Sequence, residues 1–275
     1  KGLSCNQIFF DLEDSVAPGE KASARENLIN LFASKPIFRA RYISIRVNAT
    51  NTQYFKDDLA AISKIPTGAI FSLVLPKLEI TSDIDLLDGS YLIDAQIESA
   101  AGLINVESIA AHPRVLSLSY GPLDFAADLG ASLEALTEID LKEFTLYPLM
   151  KILVAARANG KLAFAGPEVD IRNSAKFTAD AERVRALGFD GKWVLHPDQI
   201  DVVNETFSPS QEQFDRAELI LDAYDYYLSD AGGARGAAML EGEMIDEASR
   251  AMALVVTARG RVAGMTRMTT FTPPN

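Results

Sequence analysis

One cysteine, one tryptophan and two histidines stand in 275 residues, and each scarcity excludes something. Cys5 alone cannot close an intrachain disulfide or build a cysteine-based zinc site, and a lone thiol fits a reducing cytoplasm. No apolar run approaches the roughly 18 to 20 residues of a membrane helix, because charges or turn residues interrupt every candidate, including 67–78. Basic residues are in deficit. Lys and Arg number 26 against 38 Asp and Glu, a net charge of −12 with no local basic cluster, so a nucleic-acid backbone meets repulsion. There is no Walker A loop and no dinucleotide fingerprint: the Gly-rich stretch 230–236 precedes no strand–loop–helix phosphate cradle and reads as a linker. Nor is there a Ser-His-Asp arrangement or a Cys-His pair close in sequence to support a protein nucleophile. Lys1 is not a start methionine, and no basic-then-apolar leader follows it.

What is present is 48% hydrophobic residues, enough for a sizeable core and too many for disorder. Short apolar runs at 8–12, 42–47, 70–75, 91–97, 115–120, 161–165 and 191–195 each end in polar or turn residues. Helical stretches at 19–34, 53–64, 99–111, 145–159 and 172–187 separate them. Alternation at about 30 residues per β/α unit predicts a parallel α/β sheet covered on both faces. A (β/α)8 TIM barrel uses about 250 residues and eight strands. Seven are counted, and residues 1–7 read as a helix tail, so the first strand is expected upstream of Lys1; an open sheet is the alternative. After 197 the pattern changes to a long helix at 209–228, a Gly-rich linker, an apolar turn at 237–242 and a last helix at 243–258, with no further strand. Residues 1–228 are therefore read as the barrel domain. Residues 229–275 are read as a helical C-terminal extension that docks on a neighbouring subunit.

In such a barrel the chemistry sits where strands end, so the residues just after each apolar run are the informative ones. They are Glu13 and Asp14, Arg46 and Asn48, Lys77, Glu98, Gly121 and Asp124, Gly166 and Pro167, and His196. Glu98 and Asp124 follow adjacent strands, about 4.8 Å apart, and are placed to share one cation. Two carboxylates with almost no His or Cys favour Mg2+ over zinc. Asp128, one helical turn after Asp124, is placed to hold a metal-bound water. Each of these carboxylates also has the plain reading of a strand-end ion pair. Arg46, between Ile45 and Val47, needs a partner for its charge: Glu13, Glu98 or the carboxylate of a bound substrate. Lys77 belongs to the same charge network, and its acidic neighbours argue against a Schiff-base role because they keep it protonated. His112 reads as a cap or surface residue, His196 as a structural imidazole or a catalytic one.

Taken together, DLEDSVAPGEKASAR (11–25), IRVN (45–48), LPKLE (75–79), QIESAAGLINVESIA (96–110), GPLDFAADLGA (121–131), AFAGPEVDI (163–171), GFDGKWVLHPDQI (188–200) and GEMID (242–246) resemble the citrate lyase β-subunit, or HpcH/HpaI aldolase, family. The resemblance implies a TIM barrel and a magnesium-dependent carbon–carbon lyase. Glu98 and Asp124 are then the metal ligands and Arg46 the clamp on an α-keto acid carboxylate. Glu13, Asp14 and Lys77 become a supporting charge network, and Asn48 and the Gly166-Pro167 turn a substrate or coenzyme A entry. It also implies an acyl-CoA thioester substrate, a homo-oligomer (trimer or hexamer), and an acid delivered by a neighbour's extension from an Asp-Gly segment. Here the matching position is Glu241, one methylene longer, before Gly242. Alternatives on the same site are a malyl- or citramalyl-CoA thioesterase and a free keto-acid aldolase. A non-catalytic ligand-binding subunit is the alternative of another class.

Overall fold

A computed structural model describes residues 3–132 and 135–273, and these divide at 203/204 into two compact units. The first contains β1 (Gln7–Asp11), α1 (Lys21–Ala33), β2 (Tyr42–Arg46), α2 (Phe55–Ile62), β3 (Ser72–Leu75) and β4 (Leu92–Ile97). It continues through α3 (Ala100–Ile104), α4 (Val106–Ala111), β5 (Val115–Tyr120), α5 (Pro122–Asp128) and α6 (Glu138–Ala158). β6 (Leu162–Ala165), α7 (Ser174–Leu187) and β7 (Gly191–Lys192) complete the sheet, and α8 (Gln199–Phe207) runs across the division. The second unit holds α9 (Gln211–Leu228), a hairpin of β8 (Ala238–Leu240) and β9 (Glu243–Ile245), and α10 (Glu247–Val262).

All six strand pairings of the first unit are parallel, and the seven strands lie side by side in sequence order. Sequence order without reversal is barrel topology; a doubly wound sheet would switch direction at its first strand. The sheet curls enough for Phe9 of β1 and Trp193, just after β7, to meet with ring centroids 4.6 Å apart. This sheet has seven strands among the described residues, as the apolar runs predict, and none of these residues adds an eighth to it. The helix tail expected over 1–7 is not seen in residues 3–6, Gln7 opens β1 instead, and Lys1 and Gly2 lie outside the described residues.

Period-two alternation explains the faces. On β4, Ile93, Ala95 and Ile97 are buried among apolar neighbours, whereas Asp94, Gln96 and Glu98 share the opposite, concave face. That face is polar. Asp94 accepts hydrogen bonds from Gln7 (3.0 Å), Ser72 (2.5 Å) and Ser117 (2.6 Å), and Ser44 bonds Ser72. Burial pushes the Asp94 carboxyl up, a buried acid held by hydroxyl and amide donors. The apolar faces of the strands meet the helices, as where Phe10 packs edge-on against Phe32 of α1 at 5.9 Å.

Several elements differ from their sequence pattern for physical reasons. The stretch 99–111 breaks at Asn105 into α3 and α4. α6 begins at 138 rather than 145, because Thr137 and Asp140 form a reciprocal capping box, and it tolerates Pro148 in its interior. The region after 236 is not an apolar turn but a hairpin. Glu241 and Gly242 both have positive φ (52° and 91°), the signature of a two-residue type I′ turn, and the last helix accordingly starts at 247, capped by Asp246. The two units divide at 203/204, and within the second α9 packs with α10. A Cβ on Gly260 of α10 would stand 2.1 Å from the Phe214 ring of α9. Gly260→Ala is therefore expected to lower stability by about 1–3 kcal/mol through overpacking, despite alanine's better helix propensity; denaturant titration measures it.

Candidate active site

The loops after β1 to β5 bring the strand-end residues together. Register places Asp11 directly beside Arg46 across β1 and β2. Arg46 donates from Nε to Asp11 Oδ1 at 2.8 Å and from Nη2 to Oδ2 at 2.5 Å, and Nη1 lies 3.3 Å from Glu13 Oε2. The partner of Arg46 is thus chiefly Asp11, with Glu13 second; Glu98, also considered from the sequence, is felt only as a nearby charge. Burial would raise the Asp11 carboxyl, but the Arg46 guanidinium outweighs it and holds the group below its ordinary range. Phe9 and Trp193, in contact with each other, both lie on one side of the guanidinium at 5.7 and 5.9 Å from its carbon, so its position is fixed from that side as well as along its Asp11 edge.

Lys77 follows β3 with φ at +52°, a left-handed conformation uncommon for a side chain of this size. The turn aims its backbone N–H at Glu98 Oε1 (2.7 Å) and its Nζ at Glu13 (2.8 Å), Asp14 (3.2 Å) and Asp124 (3.4 Å). Burial would lower its pKa, yet the bond to Glu13 and the charges of Glu13 and Asp124 win and push it up. An ammonium so held does not serve as a Schiff-base amine.

Glu98 is 2% exposed. Its other oxygen accepts from Gln96 Nε2 at 2.6 Å. Gly121, at the end of β5, makes room for it: a Cβ there would stand 2.2 Å from Glu98 Oε2. Burial, with the charges of Asp124 and Glu13, pushes the Glu98 carboxyl up to about 8, while the Lys77 N–H works the other way. A carboxyl raised in the folded state makes stability fall as pH climbs from its unfolded value near 4.5 towards 8, by up to about 1.4 kcal/mol per unit. The melting temperature of metal-free protein is expected to fall across that window, and Glu98→Gln to flatten the fall.

Glu98, Lys77, Asp124 and Asp128 line a cavity of about 410 Å³ together with Thr50, Asn51, Glu79, Ile80, Asp83 and Ser99. A divalent cation fits the donor set. Five carboxylates (Asp11, Glu13, Asp14, Glu98 and Asp124) face two cations, one of them spent on Asp11. Buried Glu13 Oε2 and Gln96 Oε1 have no hydrogen-bond partner. No group of three or more His, Cys, Asp or Glu forms a cage among the described residues. Magnesium does not require one, since it takes one or two carboxylates and completes its octahedron with water and substrate oxygens.

Other predicted residues lie elsewhere. Asn48 is 3% exposed, with its side-chain amide donated to Leu12 O (2.8 Å) and Asp58 (2.6 Å), so it braces two loops and is outside the cavity wall. Asp128 lines the cavity, but its carboxylate accepts from Ala100 N at 2.7 Å and thereby ties α5 to the start of α3. Gly166 approaches the β5–α5 junction so closely that a Cβ would meet Tyr120 O at 2.3 Å, and its carbonyl accepts from buried Lys192; neither it nor Pro167 lines the cavity. Glu241 sits at the hairpin tip of the second unit, paired with Arg216. His112 and His196 each accept a backbone N–H within their own loops. Asp11, Gln96, Thr50, Asn51 and Glu79 are not singled out from the sequence, and Asp83, which reads there as a solvated acidic face, lines the cavity. Spacing alone marks two of them: Asp11 and Gln96 each stand two residues before a site glutamate, on the same strand face.

A curled parallel sheet with charged groups gathered at the C-terminal ends of its strands defines a β/α-barrel enzyme. The chain belongs to the HpcH/HpaI aldolase/citrate lyase family, whose model matches residues 3–197. The L-malyl-CoA/beta-methylmalyl-CoA lyase of Rhodobacter capsulatus is 32% identical over 283 residues, covering 93% of this chain and 87% of that protein. A (3S)-malyl-CoA thioesterase of Cereibacter sphaeroides is 32% identical over 267 residues, covering 96% and 87%. Protein CitE from Mycobacterium tuberculosis, solved in complex with magnesium, acetoacetate and coenzyme A, superposes with a TM-score of 0.78 at 29% identity, covering 92% of this chain and 89% of that one. The family and the barrel fold implied by the motifs are both borne out.

Proposed function

We propose that this chain is a magnesium-dependent carbon–carbon lyase that splits a 3-hydroxyacyl-CoA into an acyl-CoA and an α-keto acid, and joins them in reverse. One observation carries it: Glu98 is held by two donors on the wall of a cavity that it shares with Asp124, beside a pre-aimed arginine, and forms no ion pair among the described residues. Glu98 and Asp124 would hold the metal, which when bound supplies positive charge to the substrate's oxygens. Asp11 occupies the Nε/Nη2 edge of Arg46 and Glu13 lies 3.3 Å from Nη1, so a keto-acid carboxylate would bind through the remaining Nη hydrogens. Lys77 keeps Glu13 and Asp124 in place. Scission passes the hydroxyl proton to water as the carbon–carbon bond breaks and the keto-acid carbonyl forms, leaving an enolate whose carbon takes a proton; Glu241, 66% exposed on its hairpin tip, is the proposed donor in its protonated form, delivered by a neighbouring subunit of a trimer or hexamer. Its type I′ turn, with Gly242 supplying the second positive φ, places the residue at the tip of the hairpin. The lone cysteine and the coenzyme A chemistry fit a cytoplasmic enzyme.

A thioesterase reading, in which water takes the acyl group, keeps the same residues and has a similarly close relative. Product analysis separates the two. Incubation with malyl-CoA and Mg2+ is expected to yield acetyl-CoA and glyoxylate; malate and free coenzyme A would establish the thioesterase instead. Glu241→Gln is expected to slow the overall reaction, and normal turnover would mean that the proton comes from elsewhere.

A further inference from the structure

The hairpin of the second unit is seated by alternation. Leu240 and Ile245 are buried against Ala223 and Tyr224 of α9, so one face of the ribbon meets the helix. Leu240 pairs directly with Glu243, which therefore stands on that same face, while Met239 and Met244, opposed to each other, take the other face and are exposed. On α9, Arg216 lies one turn before Ile220 and two before Ala223 and Tyr224, which puts it on the helix face that carries the hairpin. Its terminal nitrogens divide between the two glutamates on either side of Gly242. Nη1 bonds Glu241 Oε2 and Nη2 bonds Glu243 Oε2 at 3.0 Å, whereas Glu241 Oε1 has no such partner among the described residues. The turn itself is not neutral. Glu241 is held at φ +52°, the first central position of a type I′ turn, where Asn, Asp and Gly are favoured and glutamate is not. A disfavoured conformation that is kept marks a position with a task. Exposed ion pairs add little to stability, and with Glu241 and Glu243 66% and 76% exposed the fork is not what folds the unit.

We infer that Arg216 is the positioning residue of the proton donor: its fork on Glu241 and Glu243 fixes the hairpin tip on α9 and leaves Glu241 Oε1 as the oxygen that carries the proton. The inference rests on the donor role proposed above for Glu241 and names the residue that orients it. A donor that acts on a neighbouring subunit's enolate is oriented by its own subunit, and the fork is what the second unit supplies for that. When the enolate carbon is protonated, the O–H bond at Oε1 breaks and its electron pair stays on Glu241, while the enolate's electron pair forms the C–H bond. The resulting carboxylate already faces the Arg216 guanidinium, and water returns the proton. Arg216 itself acts only through Glu241.

Malyl-CoA cleavage by the full-length, Mg2+-loaded chain is followed for Arg216→Gln, Arg216→Lys, Glu241→Gln and the Arg216→Gln/Glu241→Gln double variant. Arg216→Gln is expected to lower kcat about tenfold, less than the roughly hundredfold that a misplacement of about 1 Å costs, and to leave KM unchanged, the pattern of an interaction felt only in the transition state. Its melting temperature is expected to stay close to that of the unaltered chain. Arg216→Lys supplies a point charge that does not span both glutamates and is expected to recover only part of the rate. In the Glu241→Gln background, Arg216→Gln is expected to cost nothing further. Unchanged kcat in Arg216→Gln, with Glu241→Gln slow, overturns the inference and leaves the donor role of Glu241 standing. So does a loss that persists undiminished in the double variant, or one matched by a fall in melting temperature. Normal turnover of Glu241→Gln, or no cleavage by the unaltered chain, removes the reading of Glu241 and the inference with it.

Discussion

Glu98→Gln is expected to lower turnover by about 10³-fold or more and to abolish its dependence on Mg2+. The substitution keeps shape and removes one negative charge from the pair of oxygens that Lys77 N and Gln96 Nε2 hold at 2.7 and 2.6 Å. If the charge of a bound cation is worth several kcal/mol to the reaction, its loss is worth a factor of this order. The same variant has a second signature that a merely structural role for Glu98 would not produce. In metal-free protein the carboxyl titrates near 8 because it is buried beside Asp124 and Glu13, so glutamine relieves a cost and the variant is expected to be more stable than wild type at pH 8. Below that pH the proton competes with the metal, and wild-type Mg2+ affinity is expected to fall by up to about tenfold per unit. Inactivity together with higher metal-free stability identifies Glu98 as a charge held for a ligand. Retained turnover in chelator would contradict it.

Gly121→Ala is expected to cost about 10²-fold in kcat/KM with a small change in fold. Gly121 has φ at −102°, which alanine adopts readily, so the backbone is not the obstacle. The obstacle is the added methyl, 2.2 Å from Glu98 Oε2 and 2.6 Å from Glu98 Cβ, which forces the carboxylate aside by about 1 Å. A displacement of that size in a reacting constellation is worth about two powers of ten. Steady-state kinetics and the Mg2+ midpoint read the effect, and circular dichroism should report an unchanged fold. Full activity would mean that the carboxylate is not needed where β5 leaves room for it.

The barrel was legible in the sequence because each buried strand writes itself as an apolar run ended by a polar residue. The residues just past those ends do gather at one mouth. What stayed hidden depends on register rather than on composition. Asp11 lies inside the run 8–12 and reads as an ordinary strand position; only the parallel pairing that sets it beside Arg46 gives it a role. Asn48, equally polar and two residues past Arg46, is consumed by Leu12 O and Asp58 and never reaches the cavity. The polar concave face of Ser44, Ser72, Asp94 and Ser117 was masked by its apolar neighbours on the other face, so the strands looked more uniformly hydrophobic than they are. In the second unit, three-residue strands are too short to show alternation, and a Glu-Gly tip lacks the Asn-Gly or Asp-Gly signal of a hairpin. The far end of the cavity, with Thr50, Asn51, Glu79 and Asp83, comes from loop paths that no local pattern encodes.

The most direct test is a crystal structure of the full-length protein soaked with Mg2+ and glyoxylate. The predicted result is one ion within about 2.1 Å of an oxygen from Glu98 and one from Asp124, with the keto acid reaching both that ion and the remaining Nη hydrogens of Arg46. An ion bound elsewhere, or Glu98 still without a metal and Lys77 as its nearest cation, would contradict it.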